Sequence, residues 1–278
     1  MSIPLSPFSF VKCDMEGLGC TSSGFGDGFF LKGATLRAFS ESWERLWMLA
    51  ASSGKKDIGI QVTSSNGFAA GRTEGNALLA SRDELIERAL LLKAWEDQRG
   101  WFSYRLKHVI AGLLSSYLER RGWQIRFFLV RCRQLGMVIV GFAEHRRFGL
   151  TCDAVHCSPE RPVGKAELKL VRSLARDILL CNEKEQTGEW SFPECGKPHD
   201  HARFYRDPKH CEALDFLRSQ NAQQGMIGLP AAADIHSKII INVSAFPAVA
   251  LSTHLEWPKL MWGKCSVRGK NPWPHPLA

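Results

Sequence analysis

Two glutamates three residues apart, with an arginine directly after the second, occur twice in this chain: Glu41-Ser42-Trp43-Glu44-Arg45 and Glu84-Leu85-Ile86-Glu87-Arg88. Residues three and four apart are neighbours on a helix, so each copy puts two carboxylates and a guanidinium on one face. Carboxylates that close repel each other unless something positive lies between them, and a divalent cation is the simplest candidate. Mg²⁺ takes one or two direct carboxylate ligands and leaves its other positions to water and substrate phosphates. The arginines can grip those phosphates in a bidentate way. A single Glu-x-x-Glu pair is most simply a solvated helix face. Two copies, each with flanks that would partly bury the helix, point to a site.

Each copy follows a glycine-containing turn. Lys32-Gly33 leads into a helix expected over 34–51, and Ser65-Asn66-Gly67-Phe68-Ala69-Ala70-Gly71 leads into one expected over 76–95. Glycines there permit positive φ and close backbone approach to a ligand. The second helix carries an apolar stripe at Leu78, Leu79, Leu85, Ile86 and Leu90. Between the two helices, 57–63 has the β-branched alternation of a strand. Residues 1–30, rich in Gly, Ser and Phe, read as loop or irregular strand.

Further along, a helix is expected over 104–121, its core face formed by Leu106, Val109, Ile110, Leu113, Leu114 and Tyr117. A strand pair over 123–131 and 135–143 follows, with a third strand over 145–155. A helix over 165–180, a polar loop over 183–208, a helix over 209–219 and a strand over 238–243 complete the pattern. Helices and strands alternate with no low-complexity linker, which predicts a single α/β domain (mixed α+β) over 1–278, with helices packed on mixed sheets.

The 278 residues carry a net charge of +8 and nine cysteines. No long apolar run or signal peptide is present, so a cytoplasmic protein without membrane contact is expected. Odd, unpaired cysteines fit reduced thiols. Cys152, His156 and Cys157, then Cys195, His199 and His201, then His210-Cys211 match none of the usual zinc spacings. The positive charge points to an anionic partner such as nucleic acid, ATP or an acidic peptide. Its basic clusters, at Arg120-Arg121, Arg126, Arg131, Arg133 and His145-Arg146-Arg147, form no recognisable nucleic-acid module, so nucleic acid is not expected as the partner. The last eight residues, Asn271-Pro272-Trp273-Pro274-His275-Pro276-Leu277-Ala278, read as an extended, polyproline-like tail.

Taken together, the two Glu-x-x-Glu-Arg helices, the Ser-Asn-Gly-x-Ala-Ala-Gly turn and the terminal Pro-x-Pro-x-Pro resemble the YcaO family. The resemblance is strongest over 34–45 and 64–95 and returns at Arg172 and at the C-terminus. It implies an enzyme that binds Mg-ATP and phosphorylates a peptide amide oxygen. A Cys, Ser or Thr side chain attacks the preceding carbonyl carbon, the resulting oxygen takes the γ-phosphoryl group of ATP, phosphate leaves, and a thiazoline or oxazoline remains in a ribosomally made precursor peptide, as in bacteriocin biosynthesis.

By position, the resemblance makes Glu41, Glu44, Glu84 and Glu87 the metal ligands. It makes Lys32, Arg45, Ser65, Asn66, Arg88 and Arg172 nucleotide contacts. The tail through Pro272, Pro274, Pro276 and Ala278 would reach the active site, where the terminal carboxylate assists proton transfer. With no leader-binding domain read ahead of the fold, an E1-like or winged-helix partner is expected to supply peptide recognition, and a flavin-dependent dehydrogenase to oxidise azolines. The chain departs from the family pattern at Arg72, Asn76, Ala89 and Arg176, and the stretch between the two glutamate helices is shorter than usual. Two alternatives stay open: a thioamide or amidine product from an external nucleophile, and a scaffold subunit that has lost turnover.

Overall fold

A computed structural model describes residues 8–59, 62, 66–158, 162–183, 204–218, 225–229 and 234–257. These fall into two compact units, one holding the described residues as far as Leu85 with 234–255, the other those from Ile86 to 229 with 256–257.

The first unit opens with a regular hairpin where loop or irregular strand was expected. Strand β1 (Ser9–Gly17) pairs antiparallel with β2 (Cys20–Gly28) from Ser9↔Gly28 to Gly17↔Cys20. The glycines of β2 serve packing. Helix α1 (Leu31–Ser52) buries Ala34, Ala38 and Ser42, spaced four apart, against that strand. A Cβ on Gly26 would stand 1.8 Å from the Ala34 carbonyl oxygen, and one on Gly24 2.3 Å from that of Ala38. The helix lies on bare backbone.

The other side of α1 meets a three-stranded antiparallel sheet. Strand β3 (Phe68–Gly71) pairs with β9 (Ala248–Thr253), and β9 pairs with β8 (His236–Ile241). Side chains alternate across a strand. Phe68, Val249 and Leu251 therefore cluster with Met48, Trp43 and Trp47 of α1, whereas Ala248 and Ala250 pack on Ala77. Ala77 belongs to helix α2 (Glu74–Asp97), which starts in this unit and runs into the second. No strand occurs at 57–59 or at Val62, so the expected strand over 57–63 is not found among its described residues. The strand comes later, at Phe68–Gly71, where β9 supplies the hydrogen bonds.

The second unit is built on a four-stranded antiparallel sheet ordered β4 (Trp101–Tyr104), β5 (Gln124–Cys132), β6 (Gly136–His145) and β7 (Gly149–Cys157). Helix α4 (Val163–Glu183) covers one face with Leu170, Val171, Leu174, Ala175 and Ile178. On the other, Trp95, Trp101, Phe128, Phe142 and Phe216 form a chain of tilted and edge-on rings. A 3-10 turn (Pro208–Leu214) and one helical turn (Asp215–Arg218) stand where a helix over 209–219 was expected. The fold is thus mixed α+β, with every ladder among the described strands antiparallel.

Helix α3 (Val109–Glu119) is shorter than expected and turned differently. It buries Ala111, Leu114, Ser115 and Leu118, while Val109, Ile110 and Leu113 stay 74%, 46% and 67% exposed. Of the expected core positions Leu114 is buried, but the face turned towards α4 and β5 is the one through Ala111, Leu114, Ser115 and Leu118 rather than the more aliphatic one through Val109, Ile110 and Leu113. Residues 104–108 are not helical because Glu167 of α4, fully buried, claims their donors. Its carboxylate accepts from the Tyr104 hydroxyl (2.5 Å), the Lys107 amide (3.0 Å) and the His108 amide (2.6 Å).

Candidate active site

In the first unit, α1 delivers Glu41, Glu44 and Arg45, and the first half of α2 delivers Glu84. Burial of Ala38, Ser42 and Leu46 on one side of α1 fixes its rotation and so the direction of the two glutamates. Glu41 accepts from the Phe25 amide at 2.7 Å and pairs with Arg45 at 2.6 Å, while Arg45 also donates to the Ser23 carbonyl at 2.8 Å. Glu44 accepts from the Ala70 amide at 2.8 Å, which ties it to the strand after the Asn-Gly turn.

Burial lifts the Glu44 carboxyl well above its ordinary value of 4.5, and the nearby charges of Glu84 and Glu41 push it the same way. The Ala70 hydrogen bond and Arg45 only partly oppose this. Burial and two neighbouring acids, opposed by one arginine and one amide, disfavour the charged form of Glu44, an effect that a bound cation relieves.

The turn before β3 has one conformational requirement. Gly67 has φ +74°, and a Cβ there would stand 2.1 Å from the Ser252 carbonyl oxygen. Its own carbonyl accepts from the Ser252 amide at 2.9 Å, pinning the turn to β9. Asn66 beside it is 4% exposed.

In the second unit, α2 carries Glu87 and Arg88. Glu87 is 5% exposed and accepts from the His156 amide at 3.2 Å. Arg88 lies 3.8 Å from it. Burial raises the Glu87 carboxyl; Arg88 and Lys169 oppose this and Asp153 adds to it. The Cys152 thiol is held well above its ordinary value, chiefly by burial, so it stays protonated and unreactive. Arg172 and Arg176 follow Lys169 on α4 at the three- and four-residue spacings of one helix face. Arg176 bonds Asp177 at 2.9 Å and the Ser173 hydroxyl at 2.9 Å.

Of the residues singled out in the sequence, Lys32 is exposed in the first turn of α1 and Arg172 is half-buried on α4. Ser65 and the tail with Pro272, Pro274, Pro276 and Ala278 lie outside the described residues, as do Cys195, His199 and His201. Sequence reasoning missed Asp153, Lys169 and Glu167, since no local spacing links them to the glutamate helices. Among the described residues no group of three or more His, Cys, Asp and Glu side chains is arranged to hold a metal by itself.

Two solved structures share this architecture across most of their length. YcaO from Methanopyrus kandleri, solved with AMPPCP and Mg²⁺, superposes with a TM-score of 0.60 at 12% identity, over 91% of this chain and 83% of that one. A chain of the Escherichia coli microcin synthetase McbBCD complex superposes with a TM-score of 0.56 at 13% identity, over 90% of this chain and 88% of that one.

The chain has the YcaO fold.

The sequence itself matches no protein-family model and no curated protein. At these identities the likeness to solved YcaO structures lies in the order and packing of elements. Three features argued from residues alone, the Gly-led α1, the Asn-Gly turn before β3 and α2, are elements of that YcaO fold here. No described helix is long and apolar enough to cross a membrane.

Proposed function

We propose that this chain acts as one YcaO-type domain that uses Mg-ATP to activate a backbone amide of a peptide. The product would be an azoline at Cys, Ser or Thr of a ribosomally made precursor peptide. The observation that supports this is Glu44, whose charged form is disfavoured by burial and by the neighbouring acids Glu84 and Glu41, a setting in which a cation would relieve the carboxylate. The fold is shared with a protein solved with an ATP analogue and Mg²⁺.

In this reading Glu41, Glu44, Glu84 and Glu87 hold Mg²⁺, which when bound neutralises charge on the transferring phosphoryl group. Arg45, Arg88 and Arg172 contact phosphate, with Lys32, Ser65 and Asn66 in the turns that border the nucleotide. The side-chain nucleophile adds to the preceding carbonyl carbon, the resulting oxygen takes the γ-phosphoryl group of ATP, and phosphate then leaves as the ring C=N forms. ADP and phosphate are the by-products. Positioning and charge neutralisation are what a protein contributes to such a transfer. The tail ending at Pro272, Pro274, Pro276 and Ala278 assists proton transfer. A leader-binding E1-like or winged-helix protein presents the precursor, a flavin-dependent dehydrogenase oxidises the product, and the setting is cytoplasmic. An external sulfide or amine in place of the side chain would give a thioamide or amidine instead.

A second reading, a binding scaffold without turnover, is favoured by Arg176, which stands where the family brings Glu or Gln and is held by Asp177 and Ser173. Calorimetric titration of Mg-ATP into the wild type, Glu84→Gln and Glu87→Gln tests both. The catalytic reading expects Mg²⁺-dependent binding that each variant weakens at least about tenfold, roughly 1.4 kcal/mol. Absence of wild-type binding would remove the catalytic reading and leave the scaffold. Binding without ADP release in the presence of precursor and partner would favour the scaffold too.

A further inference from the structure

Strand β5 is covered on one side along its whole length by β6, from Gln124↔Glu144 to Cys132↔Gly136. On its other side the ladder with β4 runs only from Trp101↔Val130 to Tyr104↔Phe127. Among the described residues no strand pairs with β5 at 124–126 on that side. The cause is Glu167, whose carboxylate draws the amides of Lys107 and His108 and the Tyr104 hydroxyl towards α4. The chain leaves the sheet at that point, and β4 cannot continue.

Hydrogen-bonding direction alternates along an antiparallel strand. The Arg131 carbonyl, which accepts from the Ile227 amide at 2.8 Å, faces away from β6. Counting back in twos, Leu129, Phe127 and Ile125 face the same way. Ile125 is therefore the next position beyond the β4 ladder whose N–H and C=O point along the uncovered edge.

A cavity of about 400 Å³ lies at this edge, lined by Tyr104, Gly112, Ser115, Ile125, Arg126 and Phe127 among others. It is bounded by β5 on one side and α3 on the other. Val109 and Leu113, aliphatic and solvent-exposed, stand within one helical turn of the lining residues Gly112 and Ser116. The lining holds Arg105, Arg126 and one acid, Glu119; Arg126 is also paired with Glu144 at 3.7 Å, while exposed Lys107, Arg120 and Arg121 lie near Arg105 and Glu119 in the chain and add to the positive charge.

We propose that this groove between β5 and α3 binds an extended peptide segment with alternating apolar and acidic side chains, added as a strand to the β5 edge at Ile125. Backbone pairing supplies register, and alternate side chains meet α3 or the arginines. An exposed strand edge pairs readily with another chain, and the surplus of cations selects acidic sequences. The groove lies wholly in the second unit and needs no nucleotide, so the proposal stands independently of the catalytic reading.

The test uses fluorescence anisotropy with a labelled decapeptide of alternating valine and glutamate, its lysine twin, and a copy N-methylated on alternate amides. The acidic peptide is expected to bind saturably, the lysine twin and the methylated copy at least about tenfold more weakly, and Arg105→Glu to reverse the charge preference. Ile125→Pro deletes the edge-facing N–H and leaves pairing with β6 intact, so it is expected to abolish acidic-peptide binding while the circular dichroism spectrum is retained. Should that variant not fold, the methylated peptide carries the same test on the wild type. Equal binding of all three peptides, or none of the acidic one, would overturn the proposal. So would a self-associated dimer, seen by sedimentation, that Arg105→Glu leaves intact and the acidic peptide does not disrupt.

Discussion

Burial and two neighbouring acids disfavour the charged form of Glu44, and that cost is measurable without a substrate. Its folded-state pKa is raised above its ordinary value, so the stability associated with it is fully present below about pH 4.5 and is lost as pH rises through the folded value. In chelator, Glu44→Gln should therefore melt with the wild type at low pH and increasingly above it as pH rises; the glutamine oxygen can still accept from the Ala70 amide. Saturating Mg²⁺ should narrow or invert the gap, because the cation stabilises only the carboxylate. Parallel melting curves at all pH values, with and without Mg²⁺, would mean that Glu44 carries no such charge burden. That the four glutamates stand in pairs on two helices was legible from spacing alone. That Glu44 is the strained member was not, since its burial and the approach of Glu84 depend on how α1 and α2 pack in the first unit.

At the scale of elements, helices announced themselves and long-range strands did not. α1, α2 and α4 lie within a few residues of expectation because their apolar periodicity is local. The β5–β6 hairpin was equally visible, joined by a short turn. Strand β3 pairs with β9 far along the chain, and no local pattern marks that partnership. β1 and β2 were only half visible for another reason: Ser and Gly were read as loop or irregular strand, whereas here they form a regular hairpin and create room for a helix. That gives a sharp expectation for Gly26→Ala. The added methyl would overlap the Ala34 carbonyl oxygen, and backbone cannot move aside as a side-chain tip can. Overpacking of this kind costs about 1–3 kcal/mol or more, so urea unfolding should shift to a lower midpoint with an unchanged slope. A midpoint equal to that of the wild type would show that α1 slides freely on β2. α3 teaches the converse, since its most aliphatic face is the one left in solvent.

For the whole molecule, the net charge of +8 distinguishes few functions by itself. In the structure part of it is internally matched: Glu144 is paired by both Arg126 and Arg218, and Glu41 by Arg45. Ligand that binds only the folded state stabilises it by RT ln(1 + [L]/Kd), about 2.7 kcal/mol at a hundredfold excess over Kd. For a chain of this size each kcal/mol moves the melting midpoint by roughly 2–4 °C. Mg-AMPPCP at such an excess should thus raise the midpoint by about 5–10 °C. AMPPCP with chelator, or a single-stranded oligonucleotide of equal phosphate content at physiological salt, should do far less. The oligonucleotide is the informative control. If it stabilised the protein as well as Mg-AMPPCP did, and lost that effect steeply with salt, the basic surface rather than the carboxylate helices would be the binding site. A Mg²⁺-dependent shift that survives moderate salt and disappears in Glu84→Gln would tie the molecule's stability to the glutamates from which its chemistry was first read.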